Sequence, residues 1–370
     1  MSRKINVAVL MGGRTAEHEV SLKTGTVIAN ALDKNRYNVK PVIITRMGKW
    51  LVPRGYIGQL ESPEKRFEIA DVQNPGIFPI NAGTALDKAV EDKVDVVFVA
   101  MHGPLGEDGT VQGLLELADI PYTGSNVLAS SVAMNKMVSR KLFQYEGLNV
   151  PQSLVFTVWD WRKGASTVVS KIEEEIGLPC VLKPMELGSS VGISIARTAK
   201  GFRHDFQEVL RYSNEVLVEE FLDGPEVTCA VLGAVDGEEP IPLIPTQIIP
   251  VTSEFFDYEA KYTPGATEEI TPPRDINEEM LREIQETAVQ AHKILGCGGM
   301  SRTDMIIKNS TLYVLELNTI PGMTEVSLYP QAAKAAGIEF PDLLSRLIEL
   351  AIETHELKKR CTDSARQANA

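Results

Sequence analysis

The chain is short of cysteine. Cys180, Cys229, Cys297 and Cys361 are all it has in 370 residues, far apart and without a CxxC pair. That spacing favours neither a disulfide scaffold nor a zinc site, and it predicts reduced, buried thiols in a cytoplasmic protein. Positive charge is also scarce: 37 Lys and Arg stand against 50 Asp and Glu, a net charge of −13. Neither nucleic acid nor an anionic membrane is therefore expected as the main partner, and any phosphate must be met by locally placed cations. No apolar run reaches the ~18 to 20 residues of a membrane span. The opening MSRKINVAVLMGG has a short apolar run, but Gly-Gly and Glu17 stand where a cleavage region would be, so it reads as a first strand. Two nucleotide signatures are missing too, since GxxxxGK[ST] is absent and MGGRTAEH does not match GxGxxG.

What remains is an ordinary globular balance, 44% apolar and 24% charged, with material for two or three domains. Residues 4 to 11 are a near-continuous apolar run followed by a Gly-rich turn and a helical stripe through Val20, Val27, Ile28, Ala31 and Leu32. VDVVFVAM (94 to 101) is apolar on both faces, as a strand inside a parallel sheet should be, and 48 to 92 is a less regular insertion. Residues 1–125 thus predict an amino-terminal parallel-sheet α/β domain. A helix over 126 to 147, strands VPQSLVF, LPCVLKP, GISIA and EVLVEEFL, and a helix near 199 to 213 predict an α+β block over 126–224. In 225–357, EVTCAVLG is a strand, 240 to 274 is Pro-rich and irregular, and an amphipathic helix ends at Gly296. A hairpin turning at Lys308 to Thr311 and a last helix on Leu343, Leu347 and Ile348 follow, with a frayed tail over 358–370.

The hairpin carries the first chemical hint. Strand alternation sends Glu316 and Asn318 to one face of VLELN and Leu315 and Leu317 to the other. Folding about Asn309 and Ser310 pairs residues whose numbers sum to about 619 or 620, which sets Asp304 opposite Leu315 or Glu316. Asp304, Glu316 and Asn318 are hard oxygen donors without His or Cys, a set that suits Mg²⁺. Magnesium draws the rest of its shell from water and phosphate, so a nucleotide is implied. The competing reading is a sheet with one solvated face.

Lys183 ends an apolar strand where a long cation has no packing role, and Lys136 lies in MNKMVSRK, where a surface helix lysine is the plain alternative. The loop Gly188 to Gly192, with Ser189 and Ser190, can fold its N–H groups over phosphates. VLVEEFL offers apolar walls and backbone groups to a ring such as adenine, with Glu219 and Glu226 nearby.

Nine segments fall in a familiar order: AEHEVS, HGPLGEDGTVQG, PYTGS, MNK, LKP with GSSVG, VEEFLDGPEVT, DYEAKY, SRTD and ELNTIPGMT. Together, over residues 5 to about 350, they resemble the D-alanine:D-alanine ligases of the ATP-grasp fold. The resemblance implies three domains, with ATP between the sheets of the last two. It also implies joining of two D-alanines with ATP and two Mg²⁺ ions (Mn²⁺ as substitute), through a D-alanyl phosphate, for peptidoglycan synthesis, by a cytoplasmic homodimer. By resemblance Asp304, Glu316 and Asn318 hold the metals; Lys136, Lys183 and Ser190 contact phosphates; and Glu219, Glu220, Leu222 and Glu226 hold adenosine. Glu17 anchors the first ammonium, His102 lies near that substrate, and Glu17, Ser189 and Tyr262 form a hydrogen-bonded set. Arg302 and the N–H of Gly322 face the tetrahedral oxyanion, and Ser327 with the Leu328 backbone binds the second carboxylate. The segment 250 to 270 and the Gly-Ser loop are expected as lids. Met185-Glu186-Leu187 and Ile320 depart from the family pattern in detail. Open alternatives are D-lactate or D-serine as second substrate, a non-catalytic nucleotide-binding relative, and a Mg²⁺-dependent phosphohydrolase.

Overall fold

The computed structural model describes residues 3–53, 55–56, 68–72, 77, 79–185, 192–235, 237–251 and 265–368. Their architecture is mixed α/β with three sheets. The first contains β1 (Ile5–Gly12), β2 (Tyr37–Ile44), β3 (Trp50–Leu51) and β4 (Val96–Val99), in the order β3-β2-β1-β4. β2, β1 and β4 are parallel, as their two-sided apolar runs require, and β3 joins antiparallel. Helices α1 (His18–Ala31), α2 (Ile69–Val72), α3 (Ala82–Glu91) and α4 (Thr110–Leu117) belong to this unit.

The single helix expected over 126 to 147 is two, α5 (Val127–Met134) and α6 (Lys136–Tyr145). Asn135 leaves helical geometry between them and its side chain accepts from the N–H of Val138, which starts a fresh helix with Lys136 in its first turn.

The second sheet runs β5-β8-β6-β7, all antiparallel, from β5 (Ser153–Thr157), β6 (Cys180–Pro184), β7 (Ser194–Ala196) and β8 (Glu215–Glu220). Its rear face, including Cys180, Leu182, Val216 and Val218, packs on α7 (Val158–Glu175) and α8 (Ala199–Val209) through Ile172, Phe202 and Phe206. No element is expected from sequence at α7. It begins with a capping box, Thr157 Oγ1 accepting from Asp160 N–H and Asp160 accepting from Thr157 N–H, and Gly164 interrupts it with extended backbone.

The third sheet runs β12-β11-β9-β13-β14, with β10 on β9. Its strands are β9 (Glu226–Leu232), β10 (Ile241–Pro242), β11 (Thr246–Pro250), β12 (Thr267–Ile270), β13 (Met300–Lys308) and β14 (Thr311–Asn318). The stretch from 240 to 274 is thus not irregular throughout. Thr246 and Ile248 alternate inward on β11 and pair with Thr228 and Glu226, while the prolines of β10 and β11 sit at strand ends. Helix α9 (Glu278–Ile294), capped by Asn277 and followed by Gly296 at φ 65°, covers the back with Ile284, Ala288 and Ala291 against Val227, Val231, Met305 and Leu317.

Two helices close the chain, α10 (Leu328–Ala335) and α11 (Phe340–Ala368). Leu343, Leu344, Leu347 and Ile348 of α11 enter the same core as Val7, Val9 and Phe98 of the first sheet. The tail expected to fray after Leu357 is helical through Ala368, and Lys358 and Lys359 pair with Glu116 and Asp119 of the amino-terminal unit. Among the described residues no helix is long and apolar enough to cross a membrane.

Candidate functional site

A cleft of roughly 370 Å³ lies between the second and third sheets. Val181, Lys183 and Glu219 line it from one sheet; Glu226, Ile248, Asp304, Ile306, Leu315 and Glu316 line it from the other; Glu220 to Pro225 form the connection between them. The expected nucleotide contacts Lys183, Glu219, Glu220, Leu222 and Glu226 therefore share one cavity with Asp304 and Glu316.

The hairpin forms with Asn309 and Ser310 at positive φ, and its register contains both expected sums. Asp304 faces Glu316 and Arg302 faces Asn318, but Met305 faces Val314, so Leu315 is passed over in a β-bulge. The bulge corrects the strict alternation expected here: Leu315 joins Glu316 in lining the cleft, while Leu317 remains in the opposite core.

Asp304, Glu316 and Glu219 each already meet a cation or donor. Arg302 forks onto Asp304 at 2.8 and 2.7 Å, and the Thr228 hydroxyl donates to Asp304 Oδ1 at 2.6 Å. Lys136, expected to be an exposed lysine on its plain reading, is buried and stands 3.3 Å from Glu316. Glu219 is buried between Lys183 and Arg140, each 2.5 Å away. The Arg140 approach is an ionic contact whose angle falls outside hydrogen-bond geometry. Burial pushes the Glu219 carboxyl up, yet the charges of Arg140 and Lys183 outweigh it and hold the group below the usual carboxylate range. Asn318 Oδ1 accepts from the N–H of Ile320, tying the strand end to the following turn.

That turn carries the second group of expected residues. A Cβ on Gly322 would lie 3.1 Å from Ser327 Oγ, so the glycine keeps backbone and hydroxyl in close approach. Ser327 accepts from Thr324 N–H at 3.0 Å, and Leu328, the first residue of α10, packs against Ile248. Nearby, Gln331 donates to Glu269 at 2.8 Å; burial raises the Glu269 carboxyl, opposed by that bond and the charge of Arg302.

A third cluster comes from the amino-terminal unit. Glu17 and His102 are buried, and a Cβ on Gly103 would come within 2.2 Å of the Glu17 carboxylate, which explains a glycine at φ 71° there. His102 Nε2 lies 3.1 Å from the Thr24 hydroxyl, and Nδ1 lies 3.7 Å from Glu107. Burial lowers the His102 pKa, but Glu107, Glu17 and the Ile320 backbone raise it further, with a net upward shift. Contact with Ile320 joins this cluster to the turn before Gly322.

Ser189, Ser190 and Tyr262 lie outside the described residues. Arg140, Thr228, Glu107 and Glu269 were not anticipated. Arg140 is four residues after Lys136, on the same helix face, which is a sequence signal. Thr228 has none, since only cross-strand pairing with Asp304 brings it in.

Residues 6–125 match the family model described as D-ala D-ala ligase N-terminus, and residues 142–349 match D-ala D-ala ligase C-terminus. The chain belongs to the D-alanine–D-alanine ligase family. A D-alanine–D-alanine ligase of Geobacillus kaustophilus is 38% identical over 365 residues, covering 97% of this chain and 98% of that protein. The ligase structure from Coxiella burnetii superposes with a TM-score of 0.78 at 29% identity over the full length of both chains. VanG D-Ala:D-Ser ligase from Enterococcus faecalis gives 0.79 at 34% identity, over 94% of this chain and 100% of that one. A Bacillus anthracis ligase solved with ATP gives 0.72 at 28% identity, over 96% of this chain and 99% of that one. Such family members share the ATP-grasp fold.

Proposed function

We propose that this chain uses ATP to join two D-alanines into D-alanyl-D-alanine for cell-wall synthesis. The observation that carries the reading is the cleft in which Lys183, Glu219 and Glu226 meet Asp304 and Glu316, in a chain matched by the ligase family along most of its length.

The chemistry asks for activation of a carboxylate, a poor acyl donor, by phosphoryl transfer from ATP; the second amine then attacks the acyl phosphate. Lys136 and Lys183, buried beside Glu316 and Glu219, supply positive charge for the transferring phosphate in this acidic protein. Asp304, Glu316 and Asn318 form a hard-oxygen donor set that fits Mg²⁺ or Mn²⁺. The metal would neutralise charge on the phosphate oxygens when bound. Arg302 and Lys136, the present partners of Asp304 and Glu316, would then have to share or release these carboxylates. Glu17, with His102 oriented by Thr24 and Glu107, holds the first ammonium. Arg302 and the Gly322 N–H stabilise the oxyanion, and Ser327 with the Leu328 N–H takes the second carboxylate. Water must be kept from the acyl phosphate, which it hydrolyses; the roles expected of Ser190 at the phosphates and of Ser189 and Tyr262 with Glu17 fall outside the described residues.

ATP turnover measured with and without D-alanine, with mass spectrometry of the product, tests the assignment. The expected result is phosphate release that requires D-alanine and yields the dipeptide; hydrolysis without any acceptor would point to a phosphohydrolase instead. The likeness to VanG D-Ala:D-Ser ligase keeps one second reading in view. Offering D-alanine, D-serine and D-lactate in competition decides between them, and preferential use of D-serine or D-lactate would overturn the dipeptide assignment.

A further inference from the structure

Glu316 faces Asp304 only because the hairpin changes register once. From Met305 to Lys308 the partners sum to 619, and from Asp304 to Arg302 they sum to 620. Carried on without the bulge, the first register would set Leu315 opposite Asp304 and Glu316 opposite Thr303. Since a one-residue slip turns strand side chains to the other face, Glu316 would point at the apolar core that holds Met305 and Leu317. The register changes four residue pairs away from the hairpin turn, whose geometry alone fixes only the 619 register. Something must hold the extra residue.

Arg140 is in contact with it. Its Nε and Nη2 donate to the Leu315 carbonyl at 3.0 and 2.9 Å, a two-pronged hold on one backbone oxygen. Its remaining nitrogen, Nη1, meets Glu219 at 2.5 Å, and Glu219 meets Lys183 through its other oxygen. Arg140 is 2% exposed and Glu219 3%, so little water competes, and a charge-assisted bond in such a place is strong and geometrically selective. β14 is an edge strand of its sheet, and its neighbouring Val314 N–H is met from outside by the Asn149 carbonyl. The outside of the bulge is therefore held by the segment that contains α6, rather than by another strand.

We propose that Arg140 is a positioning residue: it holds the Leu315 bulge so that Glu316 turns into the cleft, and it ties that register to Glu219 at the nucleotide end. The inference rests on the cleft being the ATP site. A guanidinium suits this place because its rigid planar fork spreads Nε and Nη2 onto Leu315 and Nη1 onto Glu219; a lysine's compact ammonium on a flexible stem lacks that fixed spread. The arrangement also links Lys136 and Arg140, one helical turn apart on α6, to consecutive residues of β14, with Lys136 at Glu316 and Arg140 at Leu315.

The test compares the parent with Arg140→Lys and Arg140→Met in full-length protein. Circular dichroism and thermal melting establish that each variant is folded, and Arg140→Lys, which keeps the charge beside Glu219, serves if Arg140→Met does not fold. Hydrogen exchange of peptides covering 311 to 318 reads the hairpin without ligands. Mn²⁺ titration at fixed ADP, with free ion followed by electron paramagnetic resonance, reads the acidic face without turnover. Both variants should exchange faster in this segment, and half-saturating Mn²⁺ should rise roughly 10- to 100-fold, the usual consequence of losing a group that orients metal ligands. Arg140→Lys should recover only part of either effect. Parental exchange and Mn²⁺ half-saturation in a folded variant would overturn the proposal, as would a fall in melting temperature alone or a change in only one of the two readouts. Absence of D-alanine-dependent turnover in the parent would defeat the ligase reading, while the exchange measurement on the bulge would still stand or fall on its own.

Discussion

Glu316 and Leu317 are neighbours in one strand with opposite surroundings. Glu316 lies in the cleft, 3.3 Å from Lys136 and across from Asp304. Leu317 is buried on the other side of the sheet, in the core that contains Ile284, Ala288 and Met305. The cleft face is a set of paired charges, Arg302 on Asp304 and Lys136 on Glu316; the rear face is nearly all hydrocarbon. A pleated strand thus separates two tasks at a spacing of one residue. Charges on the front can be altered with little effect on packing, and packing on the rear can be altered without touching the charges.

That separation can be broken from either side. Glu316→Gln keeps the shape of the side chain and removes its charge; D-alanine-dependent phosphate release should fall on the order of 10³-fold, about 4 kcal/mol in transition-state terms. The melting temperature should stay within a few degrees. Unchanged turnover would remove Glu316 from the proposed metal set. Leu317→Ala should do the reverse: a buried leucine shortened to alanine costs about 3 kcal/mol of stability, measurable by urea unfolding. Turnover per folded molecule should stay within about threefold, against the factor of ten that each 1.4 kcal/mol represents. A large loss of kcat in Leu317→Ala would show that the two faces are coupled.

What the sequence disclosed follows the range of the interactions. The hairpin was legible because strand period and turn are local properties, and its register was read to within one residue. The bulge was not, because its holder, Arg140, is 175 residues away from Leu315. α7 was hidden by Gly164, whose extended backbone interrupts the helical period. β11 and β12 were hidden by surrounding prolines and by their dependence on β9 for pairing. Lys136 gave the most misleading local signal. A lysine in a polar helix is ordinarily solvated, and only the packing of α6 beside β14 brings it to Glu316. The Glu17 and His102 cluster was recognisable by family resemblance, but its join to the turn through Ile320 required the fold.

The rear face also contains a buried titratable histidine, and it behaves oppositely to the charged front. His292 is buried on α9 with Nδ1 2.7 Å from the Ser301 hydroxyl. Burial pushes its pKa down to about 4, with the backbone contact at Cys297 opposing and the charge of Lys293 assisting. In the unfolded chain the ordinary value is about 6.5. Between these values the unfolded state binds the extra proton, so stability present at pH 7 is lost as pH falls toward about 4. His292 should account for a loss of roughly 2 kcal/mol between pH 7 and pH 5. His292→Gln should flatten that slope in urea melts at the two pH values. An unchanged slope would assign the acid sensitivity to other groups.

The same division between apolar and charged faces recurs on α11, where its terms are weaker and more exposed. Leu343, Leu344, Leu347 and Ile348 anchor the helix in the amino-terminal core, whereas beyond Leu357 the contacts are ionic, Lys358 to Glu116 at 2.9 Å and Lys359 to Asp119 at 3.0 Å. Exposed pairs of this kind contribute at most about 1 kcal/mol each and are screened by salt. Replacing both lysines with alanine should therefore leave global stability within about 1 kcal/mol of the parent. The local effect should be clearer: faster hydrogen exchange over 358 to 368, with the parent approaching the double variant as salt is raised toward ~1 M, where the screening length is only about 3 Å. If the segment exchanges as slowly in the double variant as in the parent, ion pairs do not hold the last turns, and helix propensity continued from the anchored part of α11 must be sufficient.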